Sequence, residues 1–363
     1  MKRLLILALA LATLVFSVSC TQGITDPTGE TVEVEADMLA PLFRISAYEG
    51  QKEPETKYYP TESGIAYISK TKNGYMGGYF MLPNLISNEE IFTCTSAPSA
   101  VFDLGDEKAA VFADDKLFLL SLEEGRANDF ELHGKMRFTD IILGADGGFY
   151  YVNDGLILTA DLEFDEKYTS LSVTERVVMP TEKIRGFDSL LGVSEDGERL
   201  YYTYEIDGET GYAFFGIGYL PEELGKTPVS YRELQRIPGS SRALFSSSAE
   251  DGKVTYSLID FATGEKREIS VAAGQEYAAV TVNFKGTHLI GYLAETDGIG
   301  GYLDLLDFEN GKRVKHYELA DLQINKSVCA TLSAKYLVVG QYDDGSAYDD
   351  HGGETVTTIE VAS

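Results

Sequence analysis

One signature recurs along the chain and restricts its fold more than any other feature. Leu305-Leu306-Asp307-Phe308-Glu309-Asn310-Gly311-Lys312 repeats an earlier stretch, Leu258-Ile259-Asp260-Phe261-Ala262-Thr263-Gly264-Glu265. Leu119-Leu120-Ser121-Leu122-Glu123-Glu124-Gly125-Arg126 is a third copy. In each, an apolar strand end runs into a polar turn. The Asp or Ser side chain caps the turn's backbone N–H groups, and the glycine takes the positive φ that a tight hairpin requires. Looser copies fill the gaps. In Ala160-Asp161-Leu162-Glu163-Phe164, Asp165 occupies the glycine slot, and Gly78 to Pro83 parallels Gly216 to Pro221. Thr357-Thr358-Ile359-Glu360-Val361 reads as a final such strand.

A second element precedes these copies: a strand, a turn rich in Asp, Gly or Asn, then another strand. Asp146-Gly147-Gly148 precedes Phe149-Tyr150-Tyr151-Val152, and Glu195-Asp196-Gly197 precedes Arg199-Leu200-Tyr201-Tyr202. Glu250-Asp251-Gly252 before Lys253 and Asp114-Asp115 before Lys116 belong to the same class. Each unit therefore reads strand, turn, strand, turn, strand, with no helical period beyond a turn or two. Seven units start near Glu62, Ala100, Asp140, Gly186, Arg242, Tyr277 and Val328. Spacings of roughly 40 to 58 residues fall in the range of propeller blades. The expected fold is all-β, a β-propeller of seven blades, with six or eight as alternatives. Thr31 to Ile45 is strand-like and expected to pair with the last blade, closing the ring and removing free sheet edges.

The Asp-x-x-Thr-Gly turn at Asp260 to Gly264 resembles blades of quinoprotein-like and WD40-like propellers. The likeness implies the fold. It carries no cofactor residues across, because the chain has no Trp to end the quinoprotein turn and no adjacent cysteine pair. No cofactor is expected.

The N-terminus carries different information. Met1-Lys2-Arg3 is positive, and Leu4 to Val18 is an uncharged apolar run. At about 15 residues the run is short of the roughly 20 that span a bilayer, so it reads as a secretory signal. It ends in Ser17-Val18-Ser19-Cys20. That resembles the lipobox of bacterial lipoproteins, with Ser17 in place of the usual Leu. The resemblance implies cleavage after Ser19, diacylglyceryl transfer to the Cys20 sulfur and acylation of the new amine. Residues 1–19 are then a signal peptide, residues 20–31 the lipidated cysteine and a flexible tether (TQGITDPTGET), and residues 32–363 the propeller. The implied location is the bacterial cell envelope, on the extracytoplasmic side.

Thirty basic side chains against 58 acidic ones leave a formal charge of −28. Such a surface repels phosphate backbones, which excludes nucleic acid as a partner, and disfavours lying flat on anionic lipid. With Cys20 lipidated, Cys94 and Cys329 remain, in a compartment that permits disulfides. They fall in the first and last units, which a closed ring makes neighbours. They are a candidate bridge, with two free buried thiols as the alternative.

Chemistry-bearing patterns are scarce. His133, His288, His316 and His351 show no paired spacing, and no C-x-x-C, G-x-S-x-G or Walker A occurs. Asp343, Asp344, Asp349, Asp350 and Glu354 form a dense acidic cluster whose oxygens suit Ca²⁺, without EF-hand spacing; a solvated hairpin loop is the alternative. Tyr201, Tyr202, Tyr204, Tyr212 and Phe214 make an aromatic stretch that serves either as a binding surface or as packing between blades.

Together these features read as a membrane-anchored, non-enzymatic binding or scaffold propeller whose partner is another envelope protein. The alternatives are a propeller hydrolase or lyase acting on glycans or peptides, and a Ca²⁺-dependent adhesin. A deep axial pocket with convergent carboxylates or a His–acid pair favours the enzyme.

Overall fold

A computed structural model of the chain describes residues 30–31, 41–46, 55–61, 64–81, 91–121, 125–218, 227–228, 232–271, 277, 279–282, 288–294, 301–318, 328–332, 336–343 and 353–360. Its strands form seven sheets, each built on antiparallel neighbours along the chain and arranged as a β-propeller. In chain order the blades span 56–94, 100–131, 140–180, 187–228, 232–271, 279–318 and 328–360. The seventh takes its fourth strand from the other end of the chain. Pro41–Ser46 pairs antiparallel with Gly353–Glu360, from Pro41 opposite Thr357 to Ser46 opposite Gly353. The sixth carries a fifth strand, Glu30–Thr31, parallel to Lys312–Glu318.

The first strand of each blade lines the axis. Asp140–Leu143 lies against Phe187–Val193, Arg232–Arg236 against Ala279–Val282, and Val328–Leu332 against Thr56–Pro60. The last contact joins the seventh blade to the first. Ile65, Tyr67, Val338 and Val356 pack across that seam, where the Tyr58 hydroxyl donates to Glu354 Oε1 at 2.6 Å. Turns between second and third strands share one face of the ring with the links between blades; this is the upper face. Turns between first and second strands, and between third and fourth, define the lower face.

Blades stack face to face, so the middle strands are buried on both sides. Lys108–Ala113 and Lys116–Ser121 are buried at every position after the first. Fourth strands are wetter, as the exposed positions of Arg126–Glu131 illustrate. The capping turns form as their sequence implies. Asp260 Oδ1 accepts the N–H groups of Ala262 and Thr263, and Asp307 Oδ1 that of Glu309, while Gly264 and Gly311 sit at φ +75° and +62°.

Three expectations change. Each blade has four strands rather than three, because the fourth is polar and alternates weakly. The fifth blade begins at Arg232 rather than near Arg242, and the first at Thr56 rather than near Glu62. The Asp-rich turns also divide into two kinds. Those at Asp146 and Asp196 join first to second strands, whereas those at Asp114 and Asp251 join second to third. The turn chemistry is the same at both places, so the sequence does not separate them.

Candidate functional site

The polar cluster nearest the axis comes from the first strands of four consecutive blades, with Thr203 from the second strand of the fourth. Asp140 opens Asp140–Leu143, and its Oδ2 accepts the Leu190 N–H of the fourth blade at 2.7 Å. Its Oδ1 accepts Arg236 Nη1 of the fifth blade at 2.5 Å, with the two side chains only 19% and 25% exposed. Next to Arg236, Gln235 Oε1 accepts the Val282 N–H of the sixth blade at 2.9 Å, and its Nε2 donates to the Val282 carbonyl at 3.4 Å. In the fourth blade the Thr203 hydroxyl donates to Asp188 Oδ2 at 2.9 Å and lies 2.7 Å from the Ser189 hydroxyl. Arginine does not release its proton, and both Asp140 oxygens are engaged. The geometry is that of an electrostatic clip across three blades, not of a general acid–base pair.

A His–acid pair does exist, but away from the axis. Asp304, on the third strand of the sixth blade, has a side chain with no solvent exposure. Its Oδ1 lies 2.6 Å from His316 Nδ1 and 3.5 Å from Arg313 Nη1, both on the fourth strand. Its Oδ2 accepts the Tyr277 hydroxyl at 2.7 Å. Burial, reinforced by the Asp304 charge, pushes the Tyr277 phenol far above its ordinary value, so it stays a proton donor. Tyr256 completes the set by accepting the Tyr277 N–H at 3.2 Å. Both Asp304 oxygens are therefore engaged inside a dry site. The arrangement orients groups rather than exposing them to a substrate.

Clefts occur off the axis. One of about 340 Å³ lies on the third blade, with Leu104 of the second at its edge. Its polar wall is Asp146, Thr159, Asp161 and Arg176, over Phe149 and Phe164. Asp146 Oδ2 accepts the Tyr150 hydroxyl at 2.6 Å, and Arg176 pairs with Asp161 at 2.7 Å. A smaller cleft of about 200 Å³ includes Asp115, Lys116 and Arg137.

The three tyrosines on the second strand of the fourth blade are packing, and Tyr212 and Phe214 on its third strand are half-buried. Tyr201, Tyr202 and Tyr204 are 1%, 1% and 3% exposed. Tyr202, Tyr204 and Phe215 face the third blade, against Ile142, Ile157 and Met179. Tyr201, Tyr212 and Phe214 face the fifth, around Phe261, with Tyr201 stacked on its ring at 5.7 Å. Alternate residues do point to opposite faces, but a neighbouring blade covers each face.

Of the two readings of the cysteines, the bridge is absent: Cys94 is a free, buried thiol. It lies on Phe92–Cys94, the outermost strand of the first blade, whereas Cys329 lies on Val328–Leu332, the innermost strand of the seventh. Adjacent blades do not bring together residues at opposite radial positions, since three strand spacings amount to roughly 14 Å. Burial, then the nearby Asp114 charge, pushes the Cys94 thiol up to about 11.

Of the acidic cluster, Asp343 ends a strand and Glu354 is the second residue of the next, buried beside Tyr58. Asp344, Asp349 and Asp350 lie outside the described residues, as do Cys20 and the signal segment. Among the described residues, no three His, Cys, Asp or Glu side chains converge as metal ligands, and no helix is long and apolar enough to cross a membrane. His133 is exposed, at φ +52°.

Sequence reasoning did not single out Gln235, Arg236 or Asp304. The Arg232–Arg236 segment carries no apolar alternation, the property that strand recognition relies on. An arginine and a glutamine in a short polar run just before a turn were the available signal.

No protein-family model matches the chain, and no curated protein matches it. Solved structures resemble it in fold. The Dos1 propeller aligns over 88% of this chain and 95% of its own, at 12% identity and a TM-score of 0.48. An oligogalacturonate lyase in complex with manganese aligns over 89% and 98%, at 10% identity and 0.49. The WD40 domain of Toxoplasma gondii coronin aligns over 94% and 90%, at 10% identity and 0.46. A lyase and a WD40 domain stand side by side here, so the likeness carries no activity.

Proposed function

We propose that this protein is a lipid-anchored, extracytoplasmic propeller that binds an envelope partner and has no catalytic role. The observation that carries the reading is the use made of the polar groups on the inner strands. Asp140, Gln235 and Arg236 spend their hydrogen bonds on neighbouring blades, which supports a rigid platform rather than a reactive centre. The buried Asp304–His316 pair is similarly engaged, with Tyr277 and Arg313. The N-terminal Ser17-Val18-Ser19-Cys20 supports the anchor. Acyl chains contribute about 0.8 kcal/mol per buried CH₂, so several together hold the ring at a bilayer almost permanently.

The test is a Cys20→Ala variant of the full chain. It loses incorporation of labelled palmitate and moves from the membrane fraction to the soluble one. Membrane retention unchanged by the substitution overturns the anchor. Release of a hydrolysis or elimination product from a panel of oligosaccharides and peptides by the purified protein overturns the non-catalytic half.

A further inference from the structure

The third blade ends in an overhang on the lower face. Its second strand, Phe149–Asn153, has five residues, whereas its third, Leu156–Phe164, has nine. The third pairs inward with the second only over 156–160, but outward with Leu171–Pro180 along its whole length. Among the described residues, Asp161–Phe164 therefore has a strand on one side alone. Ladder parity identifies the groups left over. The two-residue turn at Asp154 and Gly155 makes Asn153 and Leu156 a hydrogen-bonded pair, so Leu158 and Ala160 also bond inward. The same count turns the N–H and C=O groups of Leu162 and Phe164 inward, beyond the end of Phe149–Asn153. Val173 stands opposite Leu162, and its carbonyl points outward, where Lys135 Nζ donates to it, in agreement with that count.

The cleft of about 340 Å³ lies beside this free edge, and its two sides differ. Toward the second blade it offers Leu104, Phe149 and Phe164; toward the fourth it offers Asp146, Asp161 and Arg176. Arg176 Nη2 donates to Asp161 Oδ2 at 2.7 Å, which leaves the Asp146 carboxylate as the excess charge. We propose that this notch binds an extended segment of a partner polypeptide by strand addition, with an apolar side chain toward the second blade and a basic one toward Asp146 and Asp161. This rests on the partner-binding half of the reading above and not on the lipid anchor. Free N–H and C=O groups along a strand edge template another strand. The ring already takes one in this way, since Glu30–Thr31 is added to the edge of Lys312–Glu318. Alternate side chains of an added strand point to opposite sides, here one apolar and one acidic, and the formal charge of −28 favours a basic segment. The outer edge of the same blade is a poorer template, because Lys135 guards it at the Val173 carbonyl.

The test titrates the purified full-length protein into a fluorescein-labelled heptapeptide that alternates Val and Lys. Anisotropy shows saturable binding, and hydrogen exchange at the Leu162 and Phe164 amides slows when the peptide is bound. Methylating the backbone nitrogens of the lysines, or those of the valines, removes the donors along one peptide edge at a time. At least one of the two methylated peptides binds about tenfold weaker. Asp161→Lys, at an exposed position, weakens binding about tenfold. Glu250→Lys, the same charge change at an exposed position in the upper turn of the fifth blade, leaves it within about twofold. Absence of saturable binding, full affinity of both methylated peptides, equal losses at Asp161 and Glu250, or unchanged exchange at Leu162 and Phe164 overturns the notch. Each of those leaves the reading above standing, since palmitate incorporation and product release decide it. Cleavage of the bound peptide overturns the non-catalytic reading and leaves the notch in place.

Discussion

The fourth and sixth blades occupy equivalent places in the ring and fill them with opposite chemistry. The fourth seals both faces with aromatic rings: Tyr202 and Phe215 against the third blade, Tyr201 and Phe214 against the fifth. The sixth buries a carboxylate, Asp304, and surrounds it with Tyr277, His316 and Arg313. A face-to-face stack demands only that each face be filled and satisfied. Dispersion contacts do this without regard to exact atom type, whereas a buried charge does it only if every partner is present.

The largest effect follows from removing that charge. Asp304→Ala leaves His316, Arg313 and Tyr277 without their shared acceptor and costs about 3–5 kcal/mol in urea unfolding at pH 7. A loss under about 1 kcal/mol breaks the comparison, because it means the cluster is wet. Near-isosteric changes sharpen it. Asp304→Asn keeps the shape but loses the charge and costs about 2–3 kcal/mol. Phe215→Leu in the fourth blade costs only about 1–1.5 kcal/mol. If the two costs are equal, shape rather than polarity limits both interfaces.

The smallest effect comes from a carboxylate that is not dry. Asp114, on an upper-face turn, accepts the backbone N–H and hydroxyl groups of Thr95 and Ser96. Burial opposes its charge, but these hydrogen bonds outweigh burial and hold the carboxyl at about 2 against an ordinary 3.8. A depressed carboxyl pKa adds stability that is fully present above about pH 4 and is lost as pH falls toward 2. Asp114→Asn costs about 1 kcal/mol at pH 7 and flattens the stability profile between pH 4 and 2. A variant whose acid unfolding curve matches the parent's refutes the assignment.

How much of this was visible in the chain depends on which strand is asked about. Asp260 and Asp307 announce their turns because the cap and the glycine lie within five residues of each other. Of the strand-like segment Thr31 to Ile45, Pro41–Ser46 pairs with the last blade, whereas Thr31 pairs with the sixth. Arg232–Arg236 does not announce itself, because Arg236 answers to Asp140, nearly a hundred residues earlier, and Gln235 to Val282 in the next blade. The Tyr201 to Phe214 stretch reads equally well as surface or core, and only the neighbouring blades decide between them.

Local rules therefore determined the all-β class, the seven repeats, the turn chemistry and the N-terminal Cys20 motif, since each rests on residues adjacent in the chain. The ring decided the rest. It set the radial separation that leaves Cys94 a free thiol, the clip between Asp140 and Arg236, and the buried set around Asp304. Those depend on which blade stands next to which and on the radius at which each strand lies. The energies of burial and charge pairing that select them arise only between segments far apart in sequence.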